Sequence, residues 1–122
     1  RGEWEVESAY LDEALPKLAA LGAPQALTSL QPDMLAPICG ASFTRITAEL
    51  RLSDDTSCMI CGDVGDLTGG ENAALLCELE LELKHGSEAE LAAFARELME
   101  TYHLSEQPLS KLQRARALAA AE

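Results

Sequence analysis

Residues 77–84, CELELELK, alternate without a fault: Cys77, Leu79, Leu81 and Leu83 on one parity, Glu78, Glu80, Glu82 and Lys84 on the other. A period of two is the signature of a β-strand with one apolar and one polar face. Carboxylates two apart on one strand face sit roughly 7 Å from each other. Three in a row repel unless water or a cation lies in front of them. In an antiparallel sheet wet on one side, the plain reading of such a face is solvent.

A second alternating run lies upstream. In SFTRITAELRL, residues 42–52, Phe43, Arg45, Thr47, Glu49 and Arg51 share one face, and Thr44, Ile46, Ala48, Leu50 and Leu52 the other. Its polar face carries guanidinium groups, the complement of the glutamate strand. Between the two runs, SDDT at 53–56 reads as a turn, and SCMICGDVGDLTGG as a strand ending in a glycine-rich bend near Asp63 and Gly65. Short turns between consecutive strands favour antiparallel pairing.

Elsewhere, GEWEVESA alternates Trp4 and Val6 with Glu3, Glu5 and Glu7 and reads as a short strand. Leu11, Leu15, Leu18 and Leu21 have helical spacing up to Gly22, with Pro16 an awkward interior residue that predicts a late start or a kink. Residues 23–40 contain three prolines and predict short turns. A capping box of Ser87 and Glu90 opens a helix with the apolar stripe Leu91, Phe94, Leu98 and Tyr102. A last helix follows Pro108. At least four strands and three helices, with the helices segregated from an antiparallel sheet, define an α+β fold.

The bulk composition bounds the function. The 122 residues suffice for one domain, and 48% hydrophobic with 25% charged residues is ordinary for a globular chain. A net charge of −12, with three lysines and six arginines, lacks the electrostatic footprint of a nucleic-acid binder and leaves room for a cation-requiring site. No apolar run reaches membrane-span length and no signal segment is present, so neither nucleic acid nor membrane is expected as a partner. The four cysteines are expected to stay reduced in a cytoplasmic protein. Cys58 and Cys61 are three apart, which on a strand places them on opposite faces, so structural cysteines are expected rather than a zinc or redox pair. The single histidines His85 and His103 read as surface or cap residues. Asp54 and Asp55 read as turn formers, and Arg96 with Glu100 as a solvated helix pair. The chain begins with Arg1, which suggests a piece of a longer protein.

If both polar strand faces point inward across a closed barrel, the interior becomes a charged channel. Carboxylates there suit a hard divalent cation, which takes one or two of them along with phosphate oxygens and water. Arginine grips phosphate through its fork of N–H donors.

GDVGDLTGG (62–70), followed by CELELELKHGSEAELAAFARELMETYHLSEQPLSKLQRA (77–115), closely resembles the C-terminal part of the CYTH domain. These proteins, also called triphosphate tunnel metalloenzymes, include class IV-type adenylate cyclases, thiamine triphosphatases and bacterial inorganic triphosphatases. The likeness extends back through FTRITAELRL and more weakly to RGEWEVE. It implies an eight-stranded antiparallel tunnel with helices packed outside, incomplete here, because the Glu-x-Glu-x-Lys strand near the family's N-terminus and the strands carrying further phosphate contacts are absent from residues 1–122. By resemblance, Glu78 and Glu80 match metal-binding carboxylates, with Glu82 a third, and Mg²⁺ or Mn²⁺ is the implied cofactor. Asp63 would help with metal or with attacking water, Arg45 would bind phosphate, and Lys111 would reach the phosphates from the last helix, with Arg51 and Arg114 as extras. The implied activity is that of a metal-dependent triphosphatase, with adenylate cyclase or a non-catalytic polyphosphate- or nucleotide-binding module as alternatives. The expected partners are a triphosphate-containing small molecule, a missing N-terminal segment or a second copy joined through sheet edges, and a histidine-rich helical CHAD domain at the C-terminal end. Alone, the chain is expected to be inactive.

Overall fold

The computed structural model describes residues 2–121 and divides into two units, 1–37 and 38–122. In the first unit, α1 (Leu11–Ala20) is followed by the single turn α2 (Gln25–Thr28) and a 3-10 turn at Pro32–Met34. α1 runs through Pro16, and Gly22, at φ 91°, takes the left-handed conformation just past its end. Residues 2–9, expected to be a strand, contain neither helix nor strand. Alternation prepares a segment for a sheet, but its hydrogen bonds must come from a neighbouring strand, and among the described residues none pairs with it.

The second unit is an open three-stranded antiparallel sheet in the order β1 (Cys39–Arg51), β2 (Ser57–Gly69), β3 (Asn72–His85), with α3 (Glu88–Tyr102) and α4 (Lys111–Ala120). The expected bend at Asp63 and Gly65 is not there: β2 continues to Gly69, and the chain reverses at Gly70, whose φ is 58°. Gly65 serves packing instead. A Cβ on it would lie 2.1 Å from the Ser42 carbonyl oxygen and 2.8 Å from Phe43 Cβ, so only glycine lets β1 approach this closely.

Register makes each face readable as rows across the strands. On the charged face, the row Phe43–Gly65–Leu76 is followed by Arg45–Asp63–Glu78, then Thr47–Cys61–Glu80, then Glu49–Met59–Glu82. The opposite face is apolar, with Ile46, Gly62 and Leu79 in one of its rows. A register shift at Ser57/Cys58 ends this regularity beside the β1–β2 turn.

The two helices use different faces. α3 packs against β3, and Cys58, on the apolar face, is fully buried. Its N-cap is Ser87, which accepts from the Glu90 N–H at 3.3 Å. The expected reciprocal bond of a capping box is replaced: Glu90 binds the hydroxyls of Thr56 and Ser53, while the Ser87 N–H donates to Thr56 Oγ1 at 3.1 Å. These bonds tie the β1–β2 turn to the start of α3. His103, at φ 55°, closes the helix as a left-handed cap.

α4 lies across the charged face, close to β1, β2 and β3. Gly69 admits it, since a Cβ there would lie 2.2 Å from the Ala115 carbonyl oxygen. Leu67, Leu76 and Ala115 are buried, and Asn72 Nδ2 donates to the carbonyls of Leu118 and Ala121 at the helix's far end. The helix's other end carries a complete capping box: Ser110 Oγ accepts from the Gln113 N–H and Gln113 Oε1 accepts from the Ser110 N–H. The result is a helix anchored at one end by packing and capped at the other, with Lys111 at its first position.

Candidate functional site

Three carboxylates meet where β2, β3 and α4 converge. Asp63, Glu78 and Glu80 each offer an oxygen, and these atoms all lie within 4.8 Å of one another. Strand register explains the grouping: Asp63 stands directly opposite Glu78, and Glu80 follows two residues later on the same face. Asp63 is wholly buried, Glu78 is nearly so, and Glu80 is half exposed.

Three cations interleave with them. Arg45 grips Asp63 in a two-pronged fork, Nε to Oδ1 at 2.7 Å and Nη2 to Oδ2 at 2.8 Å, and extends Nη2 to Glu80 at 3.1 Å. Lys111 Nζ sits among all three acids, 2.8 Å from Asp63 Oδ2 and 2.6 Å from Glu78 Oε1 and from Glu80 Oε1. Arg114 Nη2 donates to Glu78 Oε2 at 2.7 Å. The Phe43 ring lies behind this network, its centroid 5.1 Å from Lys111 Nζ and 5.7 Å from Arg45 Cζ, within range of a cation–π attraction.

The electrostatics follow from this arrangement. Hydrogen bonds from Arg45 hold the Asp63 carboxyl far below the usual carboxylate range, outweighing the burial that would raise it, and Lys111 adds to the effect. For Glu78, burial acts upward, but the bonds from Lys111 and Arg114 prevail and its pKa is lowered. Burial acts to lower the Lys111 ammonium, yet its bonds to Asp63, Glu78 and Glu80 raise it well above the ordinary lysine value. The bond to Asp63 likewise raises Arg45. Asp63 and Glu78 are therefore held as carboxylates and Lys111 and Arg45 as cations near neutral pH, and no buried side-chain polar atom among the described residues lacks a partner.

Of the residues singled out from the sequence, Arg45, Asp63, Glu78, Glu80 and Lys111 come together here. Glu82 lies one row farther on, opposite Met59, outside the three-acid group. Arg51 pairs in register with Ser57, six residues along β1 from Arg45 and so about 20 Å away. Arg114, an extra in the sequence reading, takes a full part. Its signal was the i, i+3 spacing from Lys111, which puts both on one helix face. Phe43 carries no chemical signal in the sequence beyond strand alternation, although it shares the parity of Arg45 and stands two positions before it.

Cys58 and Cys61 do fall on opposite faces, and all four cysteines are free. Cys61 is buried on the charged face in the row of Thr47 and Glu80, while burial pushes the Cys58 thiol up. His85 Nδ1 pairs with the Asp55 carbonyl oxygen at 2.9 Å, at the edge of the β1–β2 turn. No described helix is long and apolar enough to cross a membrane.

The donor set suits a hard divalent cation. Three carboxylate oxygens gathered on one sheet face, one of them from a fully buried residue, are the ligands a hard divalent cation favours. That a positively charged ammonium already sits among them shows that the position stabilises a cation. Arg45, Lys111 and Arg114 supply the anion-binding donors within a few ångströms.

No curated protein and no solved structure matches the chain. A family model of the CYTH domain matches residues 1–115, nearly the whole chain, and the α+β arrangement with its open antiparallel sheet agrees with part of that family's tunnel. CYTH domains are in general metal-dependent binders of triphosphate compounds, and this chain belongs to the CYTH domain family.

Proposed function

We propose that this chain is the C-terminal portion of a CYTH domain whose activity is divalent-metal-dependent hydrolysis of a triphosphate, inorganic or organic. The observation that supports the reading is the interleaving of Asp63, Glu78 and Glu80 with Arg45 on one sheet face and with Lys111 and Arg114 from the helix that covers it. Phosphoryl transfer requires little covalent chemistry from a protein. It requires positioning and charge, with cations on the phosphate oxygens and carboxylates to hold a metal.

Each residue then has a role. Glu78 and Glu80, with Asp63, would hold Mg²⁺ or Mn²⁺, which when bound neutralises phosphate charge and polarises the bond to be broken. Arg45 presents a fork suited to a phosphate oxygen pair, and Lys111 a mobile point charge. Both Asp63 oxygens already accept bonds from Arg45 and Lys111. We therefore assign Asp63 first to orienting these cations, with metal binding or the attacking water as its further role. Glu82 and Arg51 remain assignments by resemblance, outside the network.

The test is phosphate release from tripolyphosphate, ATP and thiamine triphosphate with Mg²⁺ or Mn²⁺, comparing the full-length gene product with this 122-residue chain, each beside its Glu80→Gln variant. Metal-dependent turnover lost in the variant supports the hydrolase. Cyclic AMP formed from ATP would point to a cyclase instead. Triphosphate binding without turnover would reduce the reading to a binding module.

A further inference from the structure

Lys111 is the first residue of α4, where the partial positive charge of the helix N-terminus disfavours a cation. It is tolerated because its ammonium touches three carboxylates at 2.6–2.8 Å. The same three carboxylates form the cluster able to hold a metal. Lys111 Nζ and a divalent ion therefore need the same space.

Resting on the metal-site reading above, we propose that Lys111 is a tethered counter-cation: its ammonium stands where a divalent ion would bind and must withdraw for that ion to enter. Charge makes the consequence directional. The six-residue network is neutral, three carboxylates against Arg45, Lys111 and Arg114. A divalent ion entering alone leaves two uncompensated positive charges and an ammonium without partners. A polyphosphate arriving with it accepts that ammonium and restores balance. Metal and anion therefore load together, and each raises the other's affinity by the same factor.

The fold allows the exchange. α4 is held at its far end by Asn72 and by the close approach of Ala115 to Gly69, independently of Lys111. The lysine stem has four rotatable bonds and can swing its head without moving the helix. Residues 104–110, which lead into α4, contain no helix or strand and are exposed.

The experiment is titration of the full chain with Mn²⁺, followed by the free-ion electron paramagnetic resonance signal, with and without saturating pyrophosphate. Wild type is compared with Lys111→Met, Lys111→Gln and Glu80→Gln. Removing the ammonium is expected to tighten Mn²⁺ binding without anion by on the order of tenfold and to shrink the gain that pyrophosphate confers. Lys111→Gln keeps hydrogen-bonding capacity should the methionine variant fail to fold, and thermal unfolding reports which variants are folded. Mn²⁺ affinity that drops in Glu80→Gln but is unchanged in both Lys111 variants overturns the counter-cation while leaving the metal site standing. No Mn²⁺ binding by any of the proteins, with or without pyrophosphate, overturns both.

Discussion

Arg45 and Asp63 face each other across β1 and β2 and are joined by a two-pronged ion pair at 2.7 and 2.8 Å, with the carboxylate wholly buried and the guanidinium reaching on to Glu80. A lysine at position 45 could satisfy only one prong. Arg45→Lys is expected to lower stability and to weaken triphosphate binding. Chemical denaturation and calorimetric titration check the two effects separately.

Close backbone approach decides how α4 reaches the site. Gly69→Ala places a methyl 2.2 Å from the Ala115 carbonyl oxygen, whereas a Cβ at Gly62 meets nothing closer than Leu79 Cδ2 at 3.6 Å. The first substitution is expected to destabilise by about 2 kcal/mol and to loosen Lys111 from its carboxylates. Gly62→Ala should be nearly neutral. Equal effects on the unfolding midpoint would show that α4 is not seated as described.

Stability should fall at both pH extremes in metal-free protein. Asp63 and Glu78 have folded pKa values depressed below their unfolded values near about 4. Their contribution is present above that pH and is lost as pH drops through the folded values. Lys111 is raised, so its contribution is full below the unfolded value of about 10.4 and disappears as pH climbs through the folded one. Unfolding temperature against pH, with a chelator present, should show a plateau with two falling limbs. The acid limb should be shallower in Asp63→Asn.

Glu80 and Glu82 are two residues apart on one strand face but belong to different rows, opposite Cys61 and Met59. Glu80→Gln and Glu78→Gln are expected to reduce Mn²⁺ affinity at least about tenfold, and Glu82→Gln to change it by less than about twofold. A large loss at Glu82 would mean that the metal site extends a row farther along the sheet.

Glu90 bonds Thr56 and Ser53, tying α3 to the β1–β2 turn far from the acids. Glu90→Ala is expected to cost about 1–3 kcal/mol, because it strips the buried Thr56 hydroxyl of a charged partner. Metal affinity should not change. A parallel loss of both would signal coupling between the turn and the site.

Strand alternation in 42–52 and 77–84 determined by itself the two charged faces and their parity, since side-chain direction in a strand follows from position alone, and with the helical patterns it determined the α+β class. It likewise placed Arg45, Glu78 and Glu80 among the candidates. Local pattern misled where the partner was remote. Glycines at 65 and 69 look like turn residues, but they admit β1 and α4 against β2. Residues 2–7 alternate like a strand, yet no partner among the described residues pairs with them. Glu78, Glu80 and Glu82 are equivalent in sequence, and only the register with β2 and the seat of α4 separated the first two from the third. Lys111 and Asp63 are 48 positions apart and 2.8 Å from each other. Such a contact is decided by how a helix docks on a sheet, because ion pairs depend on distance in space, which no periodicity along the chain encodes.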